Sequence, residues 1–113
     1  MNYAIQITDN FFKKIKKLVK KYKSLADDLE ILKKELIENP EIGVSLGGNV
    51  RKIRMAIASK GKGKSGGARV ITCDVIVDIE NTDIYLLTIY DKNEQENISE
   101  KEIQQLKEKN GLK

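Results

Sequence analysis

A chain of 113 residues, 40% apolar and 34% charged with a formal net charge of +4, has room for one domain and one modest core. It has no histidine and one cysteine, which excludes Ser-His-Asp and Cys-His catalysis, the usual zinc sites and an internal disulfide. No apolar run approaches the roughly 18 residues of a membrane span, and MNYAIQITDNFF lacks the regions of a signal peptide, so a cytoplasmic location is expected.

Tyr3 to Ile7 alternates apolar and polar positions and predicts a short strand. Thr8 or Asp9 can cap the helix that follows. From Asn10 to Lys23, the residues Phe11, Ile15, Leu18, Val19 and Tyr22 form one helical stripe. The opposite face carries Lys13, Lys14, Lys16, Lys17, Lys20 and Lys21, either a solvated face or a binding surface. Ser24 opens a second helix, with Asp27 at the capping-box position. Leu25, Leu29, Leu32 and Leu36 make its buried seam, and Asn39-Pro40 stops it. The two helices form a hairpin that must bury one side against a sheet.

Glu41 to Asn49 reads as a loop. Val50 to Ala58 reads as a strand, with Ile53, Met55 and Ile57 on one face and Lys52, Arg54 and Ala56 on the other. Ser59 to Gly67 is a glycine- and lysine-rich turn, expected to be mobile. Ala68 to Asp78 is apolar on both faces, which suits a central strand. Cys73 lies within it and reads as a buried, inert thiol. A turn at Glu80 to Asp83 leads to a strand from Ile84 to Tyr90, completing an antiparallel meander. Asp91 to Asn97 is polar. Ser99 and Glu102 make a capping box for a last helix, Ile98 and Ile103 its staple, and Gly111 its stop. The expected fold is α+β, a single domain over residues 1–113 in the order β-α-α-β-β-β-α. It is a small twisted antiparallel sheet with an N-terminal helical hairpin on one side and a short C-terminal helix.

The charge is concentrated. Arg51, Lys52, Arg54, Lys60, Lys62, Lys64 and Arg69 lie in a window with no acid between Glu41 and Asp74. Such a field suits a polyanion, nucleic acid or nucleotide phosphate first, against the alternative of a solvated basic hairpin. Ala58 to Ser65 fits a loosened Walker A pattern, and Val75 to Asp78 resembles its magnesium strand. However, a P-loop needs a following helix N-terminus, whereas Gly66-Gly67 leads into a β-branched strand.

The runs LKKELIENPEIGVSLGGNVRKIRMAI, GKSGGARVI and IYLLTIYDKNEQENIS resemble the RelE/ParE superfamily of bacterial toxins, nearest the RelE/HigB-like branch. The resemblance spans Tyr3 to about Lys109 and rests on the Lys-x-Arg pair, the Gly-x-Arg and the Tyr-Asp-Lys taken in order. It implies a small twisted sheet with a helical pair on one side, and ribosome-dependent cleavage of messenger RNA. The 2′-hydroxyl would attack the adjacent phosphodiester without metal or other cofactor. The residues carried over are Lys52, Arg54, Arg69 and Lys92. Arg54 and Arg69 would stabilise phosphate charge, Lys52 would take the 2′-hydroxyl proton, and Lys92 would serve the leaving group or position the substrate. Lys60, Lys62, Lys64 and Arg51 would hold RNA backbone. Some relatives carry a C-terminal tyrosine or histidine, which NEQENISEKEIQQL lacks. Tyr90 is the nearest phenol, and Asp91 and Glu94 are possible acid/base partners. The implied partners are a cognate antitoxin and the ribosome with its message, with no membrane. The alternatives are a gyrase-binding toxin of the ParE kind and a non-catalytic RNA- or protein-binding module.

Overall fold

The computed structural model describes residues 1–112. In chain order these form β1 (Asn2–Ile7), α1 (Asp9–Lys21), α2 (Leu25–Glu38), β2 (Val44–Gly47), β3 (Val50–Met55), a 3-10 turn (Ala58–Lys60), β4 (Ala68–Ile76), β5 (Asn81–Asp91) and α3 (Glu100–Lys109). The sheet order is β1-β5-β4-β3-β2. The α+β class, the helical hairpin on one face, the meander and the central place of β4 match the sequence reading. Three features of the sheet do not, the first being that β5 begins at Asn81, inside the stretch read as a turn. β2 lies in the stretch read as loop, because VSLG is short, glycine-ended and exposed throughout, leaving no alternation to detect. In addition, β1 runs parallel to β5, so the sheet is mixed rather than wholly antiparallel.

Each face of the sheet buries its own cluster. On one, Phe11, Leu18, Leu25, Leu29, Leu32 and Leu36 of the hairpin pack on Ile53, Met55, Val70, Ile84, Leu86 and Ile89. On the other, Ile103 and Leu106 of α3 pack on Val50, Ile71, Cys73, Leu87 and Tyr90. Fully burying a side chain of this size contributes about 1.5–3 kcal/mol, so both helical layers are held by ordinary core packing.

A β-bulge in β5 decides what each face carries. Ile71 pairs with Thr88, but the next residue, Thr72, pairs with Leu86, so Leu87 is supernumerary. Before the bulge, Ile84 and Leu86 face the hairpin. After it Ile89 does, while Tyr90 turns to the α3 side. The bulged carbonyls do not go unpaired. Thr8 Oγ1 donates to Leu86 O (2.8 Å) and Leu87 O (3.2 Å), and Asn10 Nδ2 donates to Leu87 O (3.1 Å). The same Thr8 oxygen accepts from the Phe11 amide and so caps α1.

The glycine-lysine turn, expected to be mobile, is pinned instead. The Lys60 ammonium meets Asp91 Oδ1 at 2.8 Å, and the Ala58 amide donates to the Asp28 carboxylate. Gly67 packs so closely that a Cβ there would lie 2.1 Å from Met55 O. Ser24, read as a capping residue, makes no cap bond. Its hydroxyl donates to Asp28 (2.8 Å) and accepts from the Ser59 amide (2.9 Å), tying α2 to the same turn. Ser99 caps α3 as expected, accepting from the Glu102 amide.

Thr8→Ala removes the cap and the bulge anchor together. It is expected to cost about 1–2 kcal/mol, with Thr8→Ser nearly neutral. Urea unfolding measures both, and an unchanged midpoint for Thr8→Ala would remove the bulge from the account of stability.

Candidate active site

Antiparallel pairing places Arg54 opposite Arg69, and Arg69 opposite Tyr90. Paired residues share a face, so the three side chains form one row across β3, β4 and β5 on the α3 side. With strands about 4.8 Å apart, the row spans about 10 Å. Lys52 lies two residues before Arg54 on the same face, about 7 Å along the strand. Arg54 is exposed, Lys52 half-buried, and Arg69 and Tyr90 buried.

Arg69 is held from below. Its Nη1 donates to the carbonyls of Lys64 and Ala68 (both 3.1 Å), and its Nη2 donates to Ser65 O (3.0 Å). Burial lowers its pKa, the Arg54 charge lowers it further, and Tyr90 acts the other way. A guanidinium remains charged through such a shift. Three of its donors are spent on backbone carbonyls, two of them in the turn, so it is a fixed cation behind the surface rather than a free fork.

Tyr90 is only 6% exposed, and its hydroxyl has no hydrogen-bond partner. Burial raises its pKa, against the pull of the Arg69 charge, so the phenol is a donor and not a base. An unpartnered buried hydroxyl costs about 1–3 kcal/mol. Tyr90→Phe is therefore expected to raise the stability of the free protein by about 1 kcal/mol in urea unfolding, where an ordinary core tyrosine would lose stability.

The remaining sequence candidates divide. Lys92 is exposed immediately after β5, and its amide donates to Gly67 O, which puts it at the rim of the row. Lys62 is exposed in the turn. Lys60 is spent in its ion pair with Asp91, with 7% of its side chain exposed, so it is not open to a ligand. Lys64 pairs with Glu35 at 2.9 Å. Arg51 points to the opposite face from Lys52 and donates to Glu41 O. Cys73 is fully buried, and burial pushes its thiol pKa up, as suits an inert residue.

Neither carboxylate considered as an acid/base partner is free. Glu94 meets Lys21 Nζ at 2.5 Å. Asp91, 1% exposed, accepts from Lys60, from the Tyr22 hydroxyl and from the Asn93 amide. Burial alone would raise its pKa, but the Lys60 and Tyr22 hydrogen bonds outweigh it and bring the value down to about 2. Because the folded value is depressed, the stabilisation is complete above the ordinary value of 3.8 and is lost as pH falls toward 2. Asp91→Asn leaves Lys60 buried and unpaired. It is expected to cost about 3 kcal/mol at neutral pH and to flatten the acid limb between about pH 4 and 2, read by denaturant melts across pH.

Two comparisons bear on this arrangement. The fold resembles a solved structure of a doubly substituted form of the E. coli toxin RelE in its free state, with a TM-score of 0.54 and 22% identity over 85% of this chain and 90% of that one. A family model described as the RelE toxin of the RelE/RelB toxin–antitoxin system matches residues 8–112. The match runs from the residue that caps α1 to the end of the described chain, so this protein belongs to the RelE family of toxins and is one half of a toxin–antitoxin pair.

Proposed function

We propose that this toxin cleaves messenger RNA on the ribosome by attack of the 2′-hydroxyl on the adjacent phosphodiester. The observation that carries the reading is the row of Arg54, Arg69 and Tyr90 with Lys52 beside it, a cluster of cations and one unsatisfied donor on a single sheet face. The attack forms a new bond from O2′ to phosphorus and breaks the bond to the 5′-oxygen. It leaves a 2′,3′-cyclic phosphate and a 5′-hydroxyl. One proton leaves O2′ and one joins the departing oxygen.

Negative charge grows on the non-bridging oxygens as the fifth bond forms. Arg54, exposed and free to use its planar fork, meets that charge directly. Arg69 adds a fixed positive field from beneath. For the Tyr90 hydroxyl to donate to a substrate oxygen and gain the partner it lacks, the α3 packing over it must open. Lys52 takes the 2′-hydroxyl proton, and Lys92 at the rim meets the leaving group or the neighbouring phosphate. In this scheme side-chain cations supply the charge stabilisation that a metal supplies elsewhere.

The test is to map messenger-RNA 5′ ends on translating ribosomes after controlled expression. Wild type is expected to give new ends in register with the A-site codon. Arg54→Ala should lower the cleavage rate by about 10²–10³, and Lys52→Ala by about 10²–10⁴. Neither variant should lose fold, because both side chains reach solvent. Growth arrest with intact messages would overturn the nuclease reading in favour of another target.

A further inference from the structure

We propose that the lysine face of α1 is a second docking surface for RNA backbone. The inference rests on the nuclease reading above and extends it to the path of the RNA.

α1 buries Phe11, Ile15, Leu18 and Tyr22 along one line. At 100° per residue, Lys13, Lys16 and Lys20 project from the opposite side, while Lys14, Lys17 and Lys21 flank the end of β5. The helix carries six lysines and one acid, Asp9 in its first turn. Among the described residues only Lys21 of the six is ion-paired. Like charges three and four residues apart destabilise a helix by a few tenths of a kcal/mol each. The other two helices avoid this. α2 mixes Asp27, Asp28, Glu30 and Glu35 with Lys33 and Lys34, and α3 alternates Glu and Lys. Solubility alone would be served by that mixture, so the unmixed face of α1 calls for an anionic partner.

Geometry says which partner. β1 ends at Ile7 opposite Leu86, so beyond that point α1 runs along the free edge of β5 in place of a strand. Between them lies a groove of about 260 Å³, with Lys14 and Lys17 on one wall and Tyr90, Asp91 and Glu94 on the other. Tyr90 thus borders both the groove and the candidate row. On the far flank, Phe12 is 54% exposed, and the Lys16 ammonium sits 4.9 Å from its ring centre. An aromatic ring among cations suits stacking by a base alongside phosphate contacts.

The test compares wild type with a Lys13→Gln, Lys16→Gln, Lys20→Gln triple variant, which leaves the groove and the row untouched. Ribosome affinity is measured across salt concentrations, and cleavage is measured at saturating ribosomes. The variant is expected to bind about 10- to 100-fold more weakly, with the log–log salt slope shallower by about 2 to 3. Its cleavage rate at saturation should stay within about twofold. Ribosomes with and without a message separate ribosomal RNA from messenger RNA as the source of the phosphates. Unchanged affinity and slope would overturn the proposal while leaving the nuclease reading intact. So would a loss confined to antitoxin binding, which would make the face a protein-binding surface. Failure of wild type itself to bind or cut on ribosomes would remove the nuclease reading as well.

Discussion

The extra residue at Leu87 is the constraint on which both the site and the lock beneath it depend. Side chains alternate along a strand, and one inserted residue reverses the alternation for everything that follows. With the insertion, Tyr90 stands beside Arg69 on the α3 face, and Asp91 turns under the hairpin to meet Tyr22 and Lys60. Without it the two would exchange faces. A carboxylate would then neutralise the arginine row, and a phenol would replace the partner of a buried ammonium. The bulge is held open by Thr8 and Asn10, side chains at the start of α1 nearly eighty residues earlier in the chain. Capping a helix and setting the composition of the site are therefore one act of bonding.

Arg54 and Arg69 face each other across a ladder, a placement that costs energy when both charges are free. The cost is reduced by bending one guanidinium down onto two carbonyls of the glycine-lysine turn, Lys64 and Ser65, and onto Ala68 O at the start of β4. The glycines have a specific part in this. Gly67 lets the turn approach β3 more closely than any side chain would allow. The turn thus serves as an acceptor cradle for Arg69, and Lys60 fastens it to Asp91 from the other end. Its basic residues divide accordingly between structure and surface.

That division marks where the sequence stops being legible. Alternation was enough to place Lys52 and Arg54 on one face, and the caps at Thr8 and Ser99 followed from local chemistry. Charge in the 51–69 window was visible, but its use was not. Lys60 and Lys64 look alike in sequence, yet each is matched to an acid about thirty residues away in the chain, Lys60 to Asp91 and Lys64 to Glu35. Such pairings leave no trace in periodicity. β2 was missed because an exposed four-residue edge strand has no buried face to betray it. The role of Tyr90 was hidden for a different reason. Its parity depends on a bulge, and nothing in LLTIY announces that Leu87 will be the residue left over.

On the proposed reading, the form of the site explains why such an enzyme would work only on the ribosome. The row lies on a sheet face between α3 and a turn, and Arg54 at its end is exposed, so the site is a surface rather than a pocket. Fixed cations and a waiting donor can stabilise a transition state, but they do little to orient a flexible strand. Orientation is worth several kcal/mol of barrier, and a surface without walls must obtain it from elsewhere. A message already threaded through the A site comes with its backbone held. The toxin then needs only to present its charges at the correct phosphate. A long, weakly specific electrostatic footprint, with α1 included, serves that requirement better than a deep pocket would, because it aligns two large bodies without demanding that RNA fold around the protein.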